Sequence, residues 1–107
     1  MVLELAILDI SGKNEHAFEA AMRQAEPLIA CTPGFRSIAV RRCIESPSRY
    51  LLLVEWETME DHTIGFRQSE RYAEWRELLH HFYEPFPLVQ HYGEPIGAPK
   101  QGESGGL

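Results

Sequence analysis

The chain has 107 residues, of which 44% are hydrophobic and 10% aromatic, a composition that predicts one folded globular domain. Sixteen acidic and ten basic residues give a formal charge of −6, which disfavours binding to nucleic acid or to an anionic membrane surface. No apolar run approaches the roughly 18 residues of a membrane-spanning helix, and the N-terminal segment lacks the basic residues of a signal peptide. Two cysteines, Cys31 and Cys43, make no disulfide framework, so we expect a cytoplasmic protein.

The first half of the chain predicts a strand, a helix and a hairpin. Residues 2–9 are mostly apolar, as in a strand that is buried on both faces or nearly so. Asn14 is expected to cap the following helix, in which Pro27 predicts a kink or a tightened last turn. The apolar stripe of this helix consists of Phe18, Ala21, Met22, Ala25, Leu28 and Ile29. Residues 35–44 and 49–57 then predict two antiparallel strands joined by a short turn.

The second half predicts a broken helix and a last strand. Thr58 and Asp61 have the spacing of a capping box, Gly65 interrupts the helix, and Ser69 caps a second segment. The residues predicted to share one face of that segment are Tyr72, Trp75, Arg76, Leu79 and Phe82. Residues 88–92 predict a short strand. We therefore expect one domain over residues 1–95 and a tail rich in glycine and proline over residues 96–107.

The order β-α-β-β-α-β predicts an α+β, ferredoxin-like fold, with a four-stranded antiparallel sheet and two helices on one face. In the third strand Tyr50, Leu52, Val54 and Trp56 should point to one face of the sheet, and Leu51 and Leu53 to the other. Because helices cover only one face, the apolar residues on the other face need a partner. The simplest partner is a second copy of the chain, which gives a homodimer with its sheets face to face.

Several motifs resemble those of the antibiotic biosynthesis monooxygenase family. Trp56-Glu57-Thr58 at the end of the third strand has the family's W-E-[ST] pattern, and Trp75-Arg76-Glu77-Leu78 has the form of its helix ending. Pro33-Gly34-Phe35 matches the family's usual entry to the second strand. The resemblance covers residues 2–93 and implies the family's dimeric α+β barrel.

Two branches of this family suggest different chemistry. In alignment with the cofactor-free oxygenases of phenols, anthrones and hydroquinones, the site tryptophan falls on Trp56, the arginine on Arg76 and a tyrosine on His62. Their site asparagine falls on Leu52, which cannot donate a hydrogen bond. In the haem-degrading branch, the asparagine, tryptophan and axial histidine fall on Ala6, Ile64 and Arg76. None of these three matches, so haem degradation is disfavoured.

His62 and Arg76 are the candidate catalytic pair. Oxygenation without a cofactor needs a base that deprotonates an electron-rich phenol and a group that holds the resulting anion. A neutral His62 near a helix start would be the base, unless it faces solvent. Arg76 would hold the anion, or would pair with a carboxylate such as Glu55.

The remaining candidates would bind an aromatic ligand. Trp56 is counted with His62 and Arg76 as a candidate catalytic residue, as a pocket wall whose indole N–H is free to donate, or else it is a plain core residue. Leu52 lies near it on the same face. Phe66, Tyr72 and Trp75 are core residues in one interpretation and pocket lining in the other. His91 on the last strand would reach the inner side of the sheet as a ligand contact or a structural residue.

The predicted function is monooxygenation of a planar phenolic, hydroquinone or polyketide-like aromatic molecule with dioxygen, without a metal or organic cofactor. No spaced set of metal ligands and no glycine-rich phosphate loop is present in the sequence. The alternative is a small-molecule binding or stress-response module without catalysis, because one fold hosts many functions. Oxygen uptake would distinguish the two.

Overall fold

The computed structural model describes residues 1–97, and its elements follow the predicted order. The six main elements are β1 (Val2–Asp9), α1 (Glu15–Ala30), β2 (Phe35–Arg42), β3 (Arg49–Trp56), α2 (Glu70–Leu79) and β4 (Val89–Tyr92). A π-helix over Asp61–Phe66 precedes α2, and a turn of 3₁₀-helix over His80–Phe82 follows it. Strands β2, β3 and β4 are one or two residues shorter than predicted, which is the usual uncertainty at the ends of elements.

The strands form one antiparallel sheet in the order β2-β3-β1-β4, so the predicted ferredoxin-like α+β fold is confirmed. Strand β1 lies between β3 and β4, with Glu4 opposite Val54 on one side and His91 on the other. Opposed residues of an antiparallel ladder point to the same face, so these three side chains share one face of the sheet. Within residues 1–97, no helix has the length and apolar character needed to cross a bilayer.

Both helices pack on the face that carries Ala6, Leu8, Leu52 and Val54, which we call the inner face. Helix α1 buries its apolar stripe there, and it runs through Pro27 without ending before Ala30. The buried helix residues are Phe18, Met22, Ala25 and Ile29 from α1, and Trp75 and Leu79 from α2. This packing leaves the single core between sheet and helices.

The opposite face, which we call the outer face, is apolar and has no covering element among residues 1–97. It carries Leu3, Leu5 and Ile7 from β1, and Leu51 and Leu53 from β3. Ile7 is 46% exposed, and the four leucines are only partly buried. The split of β3 into inward and outward residues is therefore confirmed, whereas the dimer inferred from it stays a prediction.

The segment between β3 and α2 is held by the predicted caps. The Asp61 N–H donates to Thr58 Oγ1 at 3.2 Å, and the Thr58 N–H donates to Asp61 Oδ2 at 3.0 Å, which completes the capping box. Ser69 Oγ accepts from the Tyr72 N–H at 3.3 Å at the start of α2. Gly34 packs against Asp61 with φ +90°, and a Cβ there would lie 2.1 Å from Asp61 Oδ2, so only glycine fits.

The predicted cap at α1 is wrong. Asn14 occupies the N-cap position, but its side chain accepts no hydrogen bond from the helix. Its amide instead donates to the Ser11 carbonyl oxygen at 3.1 Å, in the turn that contains Gly12. Of the predicted tail, Ile96 and Gly97 lie on the surface, and residues 98–107 fall outside the described part of the chain.

Candidate functional site

A cavity of about 360 Å³ lies between the inner face and the helical segments. Its apolar lining consists of Ala6, Leu8, Ile29, Leu52, Phe66, Trp75, Phe86, Pro87, Leu88 and Val89. Its polar lining consists of Glu4, His62, Arg67, Tyr72, His80 and Tyr83. A concave apolar site with a few convergent polar groups is the usual form of a small-molecule pocket.

Glu4 is the buried acid of this cavity. Strand β1 points it inward, where it is only 4% exposed, and the Trp56 indole N–H donates to its Oε1 at 2.9 Å. Burial raises the pKa of the Glu4 carboxyl to about 7, although the Trp56 hydrogen bond and the Arg67 charge act in the opposite direction. Glu4 lines the cavity, and its Oε2 has no hydrogen-bond partner within residues 1–97 and is not fully buried.

His62 lies in the π-helix directly beside Glu4. Its ring is 3% exposed and stacks on the Trp56 indole, with centroids 5.4 Å apart and an interplanar angle of 17°. His62 Nε2 lies 3.4 Å from Glu4 Oε1. Burial first, and then the charges of Arg67 and His91, together lower the pKa of the imidazole to about 3. His62 is therefore neutral at physiological pH.

His91 extends this polar group toward the edge of the sheet. Its Nε2 lies 2.8 Å from His62 Nδ1, and it stands opposite Glu4 in the β1–β4 ladder. The ring is half-buried, and desolvation followed by the Arg67 charge lowers the pKa of His91. Glu4, His62 and His91 thus form a continuous row of side chains from the cavity to the edge strand.

A second polar cluster lines the cavity near the end of α2. His80 contacts the rings of Tyr72 and Tyr83 at centroid distances of 6.0 and 5.7 Å. Burial raises the pKa of the Tyr83 hydroxyl and lowers that of His80. Tyr83 and His80 can therefore act as neutral hydrogen-bonding groups toward a ligand at neutral pH.

Five sequence-predicted residues line the cavity as expected from their position: Leu52, His62, Phe66, Tyr72 and Trp75. Trp56 and His91 do not line it. Trp56 is fully buried behind Glu4 and His62, where it holds both, and His91 lies on the far side of His62. The expectation of a solvent-facing His62 is excluded by its burial.

Arg76 does not line the cavity that His62 lines, so the structure does not bring this predicted pair together there. It lies on the exposed side of α2, outside the cavity lining, with its guanidinium 5.8 Å from the Tyr72 ring centroid. The alternative partner Glu55 is also excluded, because it lies on the outer face and accepts from Ser37 Oγ at 2.6 Å. Arg67 is the arginine that lines the cavity.

Sequence reasoning missed Glu4, Arg67 and His80 as cavity residues, whereas Tyr83 belongs to the aromatic residues from which a pocket lining was expected. Glu4 had a visible signal, because it is the only charged residue in the interior of an otherwise apolar strand. Arg67 had none, because its position follows from the π-helix before it. Among the residues that the structure describes, no group of three histidine, cysteine or acidic side chains is arranged to hold a metal ion.

This chain is similar to several known proteins. The family model for antibiotic biosynthesis monooxygenases matches residues 1–78. The uncharacterised Bacillus subtilis (strain 168) protein YczJ is 52% identical over 92 residues, which cover 86% of this chain and 97% of YczJ.

Two solved structures extend the comparison. A Bordetella bronchiseptica protein with the same family name is 37% identical, with a TM-score of 0.84 over 89% of this chain and 97% of that protein. SnoaB from Streptomyces nogalater, a cofactor-independent oxygenase, has a TM-score of 0.80 at 13% identity over 92% of this chain and 97% of SnoaB, which shows a shared fold. The family model and the identity to YczJ show that this chain belongs to the antibiotic biosynthesis monooxygenase family.

Proposed function

We propose that the protein is a cofactor-independent monooxygenase that binds a planar phenolic, hydroquinone or polyketide-like aromatic molecule in the cavity and oxygenates it with dioxygen. The observation that carries the proposal is a carboxyl group, Glu4, whose pKa is near 7 and which opens into an aromatic-lined cavity. A group of that pKa at neutral pH is suited to remove a phenolic proton. Family membership and the shared fold with the cofactor-independent oxygenase SnoaB support the same chemistry.

The proposed reaction needs no reductant, because the substrate supplies the electrons. Glu4 removes the proton of a phenol or enol, and the anion forms a carbon–oxygen bond with dioxygen. The resulting peroxide takes the proton back from Glu4. The carbon then loses its remaining C–H proton, the C–H electron pair forms the C=O bond, the oxygen–oxygen bond breaks, and the released hydroxide takes up that proton to leave as water. For a substrate carbon that begins as CH₂ in the keto form, the balance is CH₂ + O₂ → C=O + H₂O.

Glu4 replaces His62 as the proposed base for a physical reason. An imidazole with a pKa near 3 binds a proton too weakly to hold it at neutral pH, whereas a carboxyl with a pKa near 7 can both accept and return one. His62 then positions the carboxyl together with Trp56, because both contact Oε1. Arg67 at the cavity wall would stabilise the substrate anion in place of Arg76.

Oxygen uptake tests the function. The purified protein would be incubated with a panel of hydroquinones, naphthohydroquinones and anthrones in air, with Glu4→Gln as a control for spontaneous oxidation. With ¹⁸O₂, the expected result is one labelled oxygen atom in the product and one in water. Saturable binding of the panel without uptake above the Glu4→Gln control would instead indicate a non-catalytic binding module.

We also propose that the functional unit is a homodimer through the outer face. Support comes from the apolar residues of β1 and β3 on that face, and from the dimeric α+β barrel that the family resemblance implies. Burying them against a second copy removes apolar surface from water at about 25 cal/mol per Å². Light scattering at micromolar concentration tests this, since a folded monomer would contradict it.

A further inference from the structure

Glu4, His62 and His91 form a row that leads away from the cavity. His62 lies between the other two, with Nε2 3.4 Å from Glu4 Oε1 and Nδ1 2.8 Å from His91 Nε2. The second distance is that of a hydrogen bond, and the first becomes one with a shift of a few tenths of an ångström. Because β4 is the edge strand and His91 is only half-buried, the row ends at solvent.

We infer that His62 and His91 form a proton relay between the Glu4 carboxyl and solvent, behind the bound substrate. An imidazole can accept a proton on one ring nitrogen while it releases another from the second, so no charged intermediate needs to persist. The two ring nitrogens of His62 face the two neighbours that such a transfer requires.

The relay would connect Glu4 to solvent while a ligand occupies the cavity. A planar ligand that fills the cavity covers the open side of Glu4 and separates its carboxyl from the water there. A carboxyl that ionises near pH 7 is protonated in about half of the molecules at that pH, so it must lose a proton before it can act as a base. With the cavity filled, the path through His62 and His91 remains.

The surroundings of His62 fit this role. The titratable and charged groups that face it are Glu4 from β1, His91 from β4 and Arg67 after the π-helix, and Trp56 of β3 stacks on its ring. Arg67 and His91 both disfavour a second proton on His62. This arrangement keeps the imidazole neutral, and a neutral imidazole can pass a proton on in either direction.

The inference rests on the proposed function, because it assumes that a phenol in the cavity gives its proton to Glu4. The test uses 4-nitrophenol without oxygen, at pH 7, in a stopped-flow instrument. Absorbance of the bound phenolate reports ionisation in the cavity, and a pH indicator reports the arrival of the proton in solution. His91→Phe and His91→Gln remove the transfer to solvent, and the exposed His16→Gln is the matched control.

We expect both His91 variants to bind 4-nitrophenol with unchanged phenolate amplitude and to release the proton at least about 10-fold more slowly. His16→Gln should behave like the parent, and free imidazole should restore fast release to His91→Ala. Release at the parental rate in both His91 variants would overturn the relay and leave the proposed function intact. Absence of bound phenolate in the parent would overturn the proposed function, and the relay with it.

Discussion

Each face of the sheet departs from an ordinary antiparallel sheet, whose covered face is apolar and whose open face is polar. Here the covered inner face holds Glu4, a carboxyl only 4% exposed, whereas the outer face carries leucines and an isoleucine without a cover in residues 1–97. Alternate residues of β1 produce both departures, since Glu4 points to the inner face between Leu3 and Leu5, which point to the outer face. A buried acid and an uncovered apolar face both cost free energy, which indicates that each has a function.

We propose that the two faces serve different roles. In the proposed function the inner face arranges proton chemistry around Glu4, His62 and Trp56, and burial among its apolar residues raises the pKa of the acid. The outer face has no titratable group at its centre, where Leu5 stands opposite Leu53. Changes on the outer face should alter assembly, and changes on the inner face should alter chemistry.

The largest effect is expected on the outer face. Leu53→Lys or Leu51→Lys should abolish the dimer and with it most of the folded protein, because a buried unpaired charge costs several kcal/mol. Sedimentation and circular dichroism measure both consequences. Ala73→Lys on the exposed side of α2 is the control and should stay dimeric. A Leu53→Lys protein that remains a folded dimer would show that this face is not the interface.

On the inner face, Glu4→Gln should lower turnover by about 10²-fold or more, as expected for the loss of a general base. Glutamine keeps the volume and the acceptor for the Trp56 N–H, so ligand binding should change little. Steady-state oxygen uptake and anaerobic ligand titration separate the two quantities. His62→Gln keeps the Glu4 carboxyl but removes the imidazole that positions it, so it should lower turnover less than Glu4→Gln does. Equal turnover in Glu4→Gln and the parent would remove Glu4 from the mechanism.

The same variant should stabilise the fold at alkaline pH. The unfolded carboxyl ionises near pH 4.5 and the folded one near 7, so Glu4 lowers the free energy of unfolding as pH rises between these values. Glutamine cannot ionise, so the free energy of unfolding of Glu4→Gln should exceed that of the parent by about 3 kcal/mol at pH 8 and equal it at pH 4. Chemical denaturation at the two pH values measures the difference. An equal difference at both would contradict the raised pKa.

Because His62 also titrates, the difference in free energy of unfolding between Glu4→Gln and the parent is more informative than the pH dependence of either protein alone. Its pKa is about 3 in the fold and 6.5 unfolded, so its contribution to stability is complete above 6.5 and is lost as pH falls. Between pH 4.5 and 6.5 the slopes from Glu4 and His62 have opposite signs and nearly cancel. We therefore expect the free energy of unfolding of the parent to rise less steeply with pH in this range than that of Glu4→Gln.

Much of the fold follows from local patterns in the sequence. Alternation in β3, the turn residues before it and the Ser69 cap each act over a few residues, so the order of elements and the direction of Leu52 and Leu53 could be predicted. Strand β1 lacks the alternation of apolar and polar residues that would assign its side chains to the two faces, because both of its faces are apolar apart from Glu4. Only the pairing of β1 with β3 and β4 places Glu4 opposite His91 and beside His62.

The choice between two arginines could not be made from helical spacing. A period of 3.6 places Arg76 at the margin of the stripe that holds Tyr72 and Leu79, and the structure turns it to solvent. In the π-helix the Arg67 N–H donates to the His62 carbonyl oxygen, five residues back, which rotates the following residues relative to an α-helix. That rotation places His62 and Arg67 on the same cavity, and no motif in the sequence predicts the π-helix that causes it.

This difference between the arginines gives the smallest predicted effect. Arg67→Gln should weaken the binding of an anionic ligand such as 4-nitrophenolate by roughly 5-fold, since one exposed charge contributes about 1 kcal/mol at most. Removing this positive charge should also raise the pKa of Glu4 further, because the charge of Arg67 lowers it in the parent. The acid limb of the pH–rate profile should therefore shift to higher pH. Arg76→Gln is the matched control, outside the cavity lining, and should leave affinity and profile unchanged. If Arg76→Gln weakens binding and Arg67→Gln does not, then Arg76 is the arginine that binds the anion, and the anion does not bind in the cavity lined by Arg67.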